Sequence, residues 1–136
     1  MTVRNQNFKI YRGNSATLSV AVTQADGSPY DPTLNAIIRW RLAKTSSSDE
    51  VDALARKSLV SGITLAPGGV NIVLDPVDTD YPPGVYYHEL KIEDAGDVAT
   101  SMTGFVIIKP SVSMGDNVTP TKLDIKLSGT APARAP

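Results

Sequence analysis

The sequence contains no cysteine and only one histidine, His88. The absence of cysteine excludes thiol nucleophiles, thiolate zinc sites and disulfide frameworks. Because there is only one histidine, any Ser-His-Asp triad would have to include His88. Thirteen basic and fourteen acidic residues leave a net charge of −1 without a long run of either sign, so the chain lacks the electrostatic footprint of a nucleic-acid binder. No apolar run approaches the roughly 20 residues that cross a bilayer. We therefore expect neither nucleic acid nor a membrane as a partner.

What the sequence does contain is a series of short apolar alternations separated by glycine and proline. Residues 84–109 predict two antiparallel strands joined by a turn at Asp94–Asp97, where Gly96 tolerates the positive φ of a tight hairpin. Period-two alternation places one set of side chains of the first strand on a buried face. That set is Tyr86, His88, Leu90 and Ile92.

Similar alternations predict strands at residues 7–13, 16–23 and 36–43, and a hairpin from residues 63–65 and 70–74. Trp40, the lone tryptophan, is expected to anchor the core. With 136 residues, the chain can bury such a core without metal or disulfide support. The sequence therefore predicts an all-β fold, an antiparallel β-sandwich of about seven to eight strands that is immunoglobulin-like or jelly-roll-like.

Residues 45–62 have two interpretations. Ser47–Glu50 matches a capping box, and the apolar spacing that follows is helical, so one short helix near 48–58 is expected. The competing prediction extends the sheet through residues 56–60.

After Pro110 the composition changes to a polar linker, a short alternation and an Ala/Pro-rich tail. This predicts a β-sandwich domain at 1–110 and an extended C-terminal arm at 111–136, with one strand-like segment at 122–127. Six residues cannot form a stable strand alone, so this segment is expected either to pair within its own domain or to add to the edge of another chain.

No residue pattern indicates catalysis, a cofactor or a metal. His88 lies mid-strand on an apolar face, which favours a structural role, and no serine lies in a nucleophile elbow. Asp75, Asp78 and Asp80 lack the spacing of an EF-hand, so a solvated turn is preferred. The five tyrosines, which are scattered along the chain, leave carbohydrate binding as an alternative. We expect no enzyme activity, no cofactor and no metal site.

Three segments together carry a family resemblance: residues 8–13 (FKIYRG), 37–42 (IIRWRL) and 78–94 (DTDYPPGVYYHELKIED). They resemble small immunoglobulin-like β-sandwich proteins of tailed bacteriophages and prophages. The resemblance covers roughly residues 7–109 and leaves out the arm. Such proteins include capsid decoration or cement proteins and the N-terminal domains of baseplate upper proteins.

The resemblance implies a non-enzymatic virion protein, preferably a capsid cement protein that bridges capsomers and is made in the host cytoplasm. The alternatives are a baseplate or tail adaptor and a carbohydrate-binding module. The expected partners are the major capsid protein or another virion protein, together with further copies of the chain in a dimer or trimer. The residues predicted to form the interface are Thr2, Val3, Arg4, Asn5, Leu123, Ile125 and Leu127.

Overall fold

Two β-sheets pack face to face in a computed structural model that describes residues 3–24, 26–32, 36–45, 53–59, 61–94, 96–110 and 123–132. These residues form nine strands and a short 3-10 helix, Pro76–Thr79. The strands are β1 (Phe8–Tyr11), β2 (Ala16–Thr23), β3 (Ile37–Ala43), β4 (Ala55–Ser58), β5 (Ile63–Ala66), β6 (Gly69–Leu74), β7 (Gly84–Asp94), β8 (Asp97–Lys109) and β9 (Leu123–Thr130). The predicted all-β sandwich is confirmed.

One sheet has the order β1-β8-β7-β3-β4 and the other the order β5-β6-β2-β9. Most neighbours are antiparallel, as predicted, but β1 runs parallel to β8 and β9 runs parallel to β2. Both exceptions are edge strands at the two ends of the chain. A parallel neighbour needs a long connection, so the turn signals that mark hairpins did not indicate these two pairings.

The core lies between the sheets and is built by the alternation that the sequence shows. Along β7, Tyr86, His88, Leu90 and Ile92 are all buried. Trp40 on β3 is 2% exposed, as expected of a core anchor. The hairpin turns also follow the prediction, because Gly68 and Gly96 both adopt the positive φ that glycine tolerates.

The strand-like segment predicted at 122–127 is part of the sandwich, which corrects the domain boundary at residue 110. Strand β9 pairs with β2 along its whole length, from Leu123 opposite Ala16 to Thr130 opposite Thr23. Leu127 and Ala131 belong to the core. The apolar alternation of β9 is therefore used within the chain, because an open edge of β2 was available to it.

The structure decides between the two interpretations of residues 45–62 over part of that range. Ala55–Ser58 form β4, paired antiparallel with β3 from Leu42 to Arg39, so the helix predicted near 48–58 is wrong over these four residues. The pairing with β3 outweighs a helical spacing that rests on few apolar residues. The capping box at 47–50 lies outside the described residues. Among the described residues, no helix is long and apolar enough to span a membrane.

Candidate interaction surface

His88 holds a fixed place in the core. Its Nδ1 accepts a hydrogen bond from Trp40 Nε1 at 3.0 Å, so the ring proton lies on Nε2, which donates to the backbone oxygen of Gln6 at 2.6 Å. The ring also packs edge-on against Phe8. Burial lowers the pKa of His88 to about 4, although the bond to Gln6 opposes the shift. The imidazole is thus neutral, fully buried and saturated with hydrogen bonds.

The three carboxylates of the loop after β6 are paired with two cations, and Asp75 and Asp78 share Lys57. Asp78 accepts from the backbone nitrogen of Asp75 and pairs with Lys57 Nζ at 2.7 Å, whereas Asp80 pairs with Arg12 at 2.9 Å. Among the described residues, no group of three or more acidic or histidine side chains is placed to hold a metal ion. The loop is anchored by Thr79, which is buried and donates to the backbone oxygen of Asn14.

Exposed apolar side chains are concentrated on the outer face of the five-stranded sheet. Val85 lies opposite Ile107, and Tyr87 lies opposite Phe105. Val85 is 62% exposed and Phe105 is 51% exposed, which is unusual for side chains this large on neighbouring strands. At the adjacent edge, Lys109 Nζ lies over the ring of Tyr11 at 5.5 Å from its centroid. We call this set the sheet-face patch: Lys9, Tyr11, Val85, Tyr87, Phe105, Ile107 and Lys109.

Glu89, an acidic residue that contacts the patch through Tyr87, is already paired. Arg41 Nε donates to Glu89 Oε1 at 2.6 Å, and the Tyr87 hydroxyl donates to Glu89 Oε2 at 2.9 Å. The guanidinium of Arg41 also lies 5.7 Å from the centre of the Tyr87 ring. Burial and the bond to Glu89 raise the pKa of Tyr87 to about 12, so its hydroxyl stays protonated. The Tyr87 ring is consequently held in place beside Phe105.

The outer face of the four-stranded sheet differs in chemistry. Its exposed positions on β2 and β9 are mainly hydroxyl-bearing or charged side chains. Ser19 on β2 donates to Asp124 on β9 at 3.0 Å, so neighbouring polar groups on this face bond each other. The grouped apolar surface therefore lies on the five-stranded sheet.

The residues predicted as an interface from the sequence lie elsewhere. Val3 forms a parallel bridge with Met102 and packs against the core, while Arg4 and Asn5 are exposed beside it. Leu127 is buried in the chain's own core, and Ile125 packs against that core, so the apolar face of β9 is not available to a partner as predicted. Thr2 and the side chain of Leu123 lie outside what the structure describes.

Sequence patterns did not identify the sheet-face patch or the role of Gln6. The patch combines side chains from β1, β7 and β8, and the β1–β8 pairing that completes it is parallel and non-local. Gln6 connects both sheets, because its backbone oxygen accepts from His88 and its Oε1 accepts from the backbone nitrogen of Ser128 on β9 at 2.8 Å. A signal did exist for Phe105, since a large aromatic occupies an outward position in the alternation of β8.

Asp94 is a further correction. The sequence placed it in the turn between the two strands, but it is the last residue of β7, is fully buried and accepts a 2.5 Å hydrogen bond from the Tyr30 hydroxyl. It continues the inward alternation of Leu90 and Ile92, which was the signal available in the sequence.

Comparisons with known proteins do not identify a family for this chain. No family model matches the chain, and no curated protein matches it. Among solved structures, murine CRIg is similar with a TM-score of 0.38 and 9% sequence identity, over 79% of this chain and 93% of that one. A likeness at this level carries no information about function.

Proposed function

We propose that this chain is a non-enzymatic structural protein of a tailed bacteriophage, a capsid cement protein on the virion surface that bridges capsomers. The origin rests on the resemblance of residues 8–13, 37–42 and 78–94 to small phage β-sandwich proteins. The mode of action rests on one observation: three exposed apolar side chains, those of Tyr11, Val85 and Phe105, are grouped in the sheet-face patch. Grouped apolar surface on a soluble domain is typical of a protein contact site.

The polar groups support a binding role over a catalytic one. His88 is enclosed and both of its nitrogens are bonded, so it has no access to a substrate. A general base must reach the proton that it abstracts. The other titratable groups considered from the sequence, Asp75, Asp78 and Asp80, are paired with Lys57 and Arg12.

Cementing fits a small domain with apolar side chains exposed on one sheet face. Each copy buries a modest apolar area, and many copies on one shell convert weak single contacts into stable attachment. Because β9 belongs to the sandwich, attachment is assigned to the sheet-face patch instead of to a C-terminal arm. Arg4 and Asn5, which are exposed next to the edge strand β1, remain proposed as additional contacts with the shell protein.

The test is reconstitution on purified shells that lack the protein. Wild-type protein should bind them and raise the temperature at which they release their contents. Phe105→Asp should bind less, because it buries a carboxylate in an apolar contact. Val98→Asp is the matched control, since Val98 is similarly exposed at the other end of β8. Equal binding by the two variants would contradict the proposal.

Carbohydrate binding is the second candidate, and one observation favours it. Tyr11, Tyr87 and Phe105 lie on the same face of the sheet, where aromatic rings could stack on sugars. Carbohydrate binding predicts a different result from cementing: a glycan array should identify a ligand for the wild type, and Tyr11→Ala should lose binding to it. Shell binding without any glycan signal would exclude this candidate.

A further inference from the structure

Strand β9 leaves one of its two sides open at the edge of the four-stranded sheet. It pairs with β2 on one side, and within the described residues no strand pairs with its other side. With eight residues it is also the longest edge strand, since β1, β4 and β5 have four residues each. An edge of this length offers a row of backbone donors and acceptors to another strand.

The backbone groups that point out from this edge belong to the even-numbered residues of β9. The amide of Ala131, just after the strand, donates to β2, whereas the amide of Ser128 donates away from β2 to the Gln6 side chain at 2.8 Å. Successive residues of a strand direct their backbone groups to opposite sides, so Asp124 and Lys126 present their N–H and C=O groups at the open edge. The side chains of these two residues are exposed as well.

The charges of Asp124 and Lys126 select one register for pairing with a second copy of β9. Hydrogen bonding requires the outward-pointing residues of both copies to face each other, so an antiparallel pair within β9 can be centred on residue 124, 125 or 126. Centres closer to the end of the strand need the amide of Ser128, which Gln6 occupies. A centre on residue 124 or 126 places like charges directly opposite each other, which is unfavourable. A centre on Ile125 places Asp124 of each copy opposite Lys126 of the other.

The register centred on Ile125 gives further contacts. Ile125 is covered only in part by its own core, and it would lie opposite Ile125 of the second copy, so apolar surface is covered at the centre. The exposed pair of Asp124 and Lys126 within each chain, 3.5 Å apart, is kept, and the four charges of the two copies alternate in sign around the centre. Ser19 donates to Asp124 at 3.0 Å and so holds the carboxylate in place before binding.

We propose that two copies of the chain associate by antiparallel pairing of β9 with β9 around a two-fold axis at Ile125. The contact joins the two four-stranded sheets into one continuous sheet, and each copy contributes the same surface. It provides few backbone hydrogen bonds, because Gln6 limits the length that can pair, so a weak dimer with a dissociation constant of about 0.1 mM is expected. The sheet-face patch takes no part in it, so the inference is independent of the proposed function.

Charge reversal tests the register directly. Lys126→Asp places Asp124 opposite a carboxylate of the second copy, and Asp124→Lys places Lys126 opposite an ammonium group. Sedimentation velocity over a concentration series should show that each variant associates at least about tenfold more weakly than the wild type. Lys91→Asp is the matched control, because Lys91 is exposed on β7 in the other sheet and its reversal should leave association unchanged. Thermal unfolding checks that each variant is folded.

Mixing the two reversed variants gives the decisive result. An equimolar mixture of Lys126→Asp and Asp124→Lys should associate as strongly as the wild type, because each carboxylate of one chain then faces an ammonium group of the other. The chain that carries both substitutions should also associate as the wild type does. A wild type that stays monomeric at about 1 mM, single variants that associate like the wild type, or a mixture no stronger than its components would overturn the inference.

Discussion

The environment of His88 explains why the one histidine of this chain is neutral. Trp40 donates to its Nδ1 and Gln6 accepts from its Nε2, so no lone pair is left to take up a proton without breaking a bond. The pKa of His88 is lowered to about 4, mainly by burial. The folded protein therefore binds a proton at this site less readily than the unfolded chain, in which the pKa is close to 6.5.

This difference predicts acid sensitivity. Between pH 6.5 and pH 4 the unfolded state binds the proton and the folded state does not, so stability is full above pH 6.5 and falls as the pH drops towards 4. The His88 contribution to this loss is about 3 kcal/mol, from a pKa difference of roughly 2.5. Urea unfolding of the wild type at a series of pH values measures the slope.

The control is a variant without the titrating group. His88→Gln should be less stable than wild type at pH 7, because it loses ring packing in the core, but its stability should fall less steeply between pH 6.5 and pH 4. Parallel pH profiles for the two proteins would show that His88 titrates normally in the folded state. The sequence predicted the inward position of His88 from alternation, but not its partners, which lie 48 and 82 residues away.

The N-terminal segment, Val3–Asn7, is held along β8 by backbone bonds and requires a glycine opposite it. A Cβ on Gly104 would lie 2.2 Å from the backbone oxygen of Gln6, the same atom that accepts from His88. Gly104→Ala should therefore displace the segment and destabilise the protein by about 1–3 kcal/mol, the usual cost of overpacking.

Gly84→Ala is the matched control on the neighbouring strand β7. A Cβ there would meet its nearest atom at 3.9 Å, and Gly84 has no positive φ. Thermal unfolding of both variants is the measurement, with hydrogen exchange at the Phe105 amide as a local report, since that amide donates to the Asn7 side chain. Equal melting temperatures for the two variants would refute the role assigned to Gly104.

Strand β9 should contribute to the stability of the isolated protein. Leu127 is 6% exposed in the core, so Leu127→Ala should cost about 2–4 kcal/mol, as for other buried leucines. The neighbouring Lys126 has a largely exposed side chain, and Lys126→Ala should change stability by less than about 0.5 kcal/mol. Denaturant unfolding measures the free energy of unfolding of both variants and of the wild type. A negligible effect of Leu127→Ala on stability would contradict the assignment of β9 to the sandwich and would favour a detachable arm.

The elements that the sequence predicted correctly share a local cause. Strands β5 and β6, and strands β7 and β8, are joined by hairpin turns, so the residues that define each strand also indicate its partner. Strands β4 and β9 are different, because their pairing with β3 and β2 depends on which edges remain open after the rest of the sheet has formed. Periodicity indicates that a segment has an apolar face, but it does not indicate which part of the protein covers that face.

Across the whole molecule, a net charge of −1 does not indicate where the charged side chains lie. Lys9 and Lys109 belong to the sheet-face patch, whereas Asp75 and Asp80 on the loop after β6 are paired with Lys57 and Arg12. The patch could not be predicted from the sequence, since it draws on three strands and its completion depends on the parallel β1–β8 register. The predicted dimer or trimer stays a prediction.

The absence of native cysteine permits the most direct test of the patch as a protein contact surface. Phe105→Cys and Val98→Cys place one thiol at each end of the outer face of β8, at positions that are 51% and 57% exposed in the single chain. Maleimide labelling rates are compared for the free protein and for protein bound to purified shells. Labelling at position 105 should slow strongly on the shell while labelling at position 98 stays unchanged. An undiminished rate at position 105 on shell-bound protein would contradict the account.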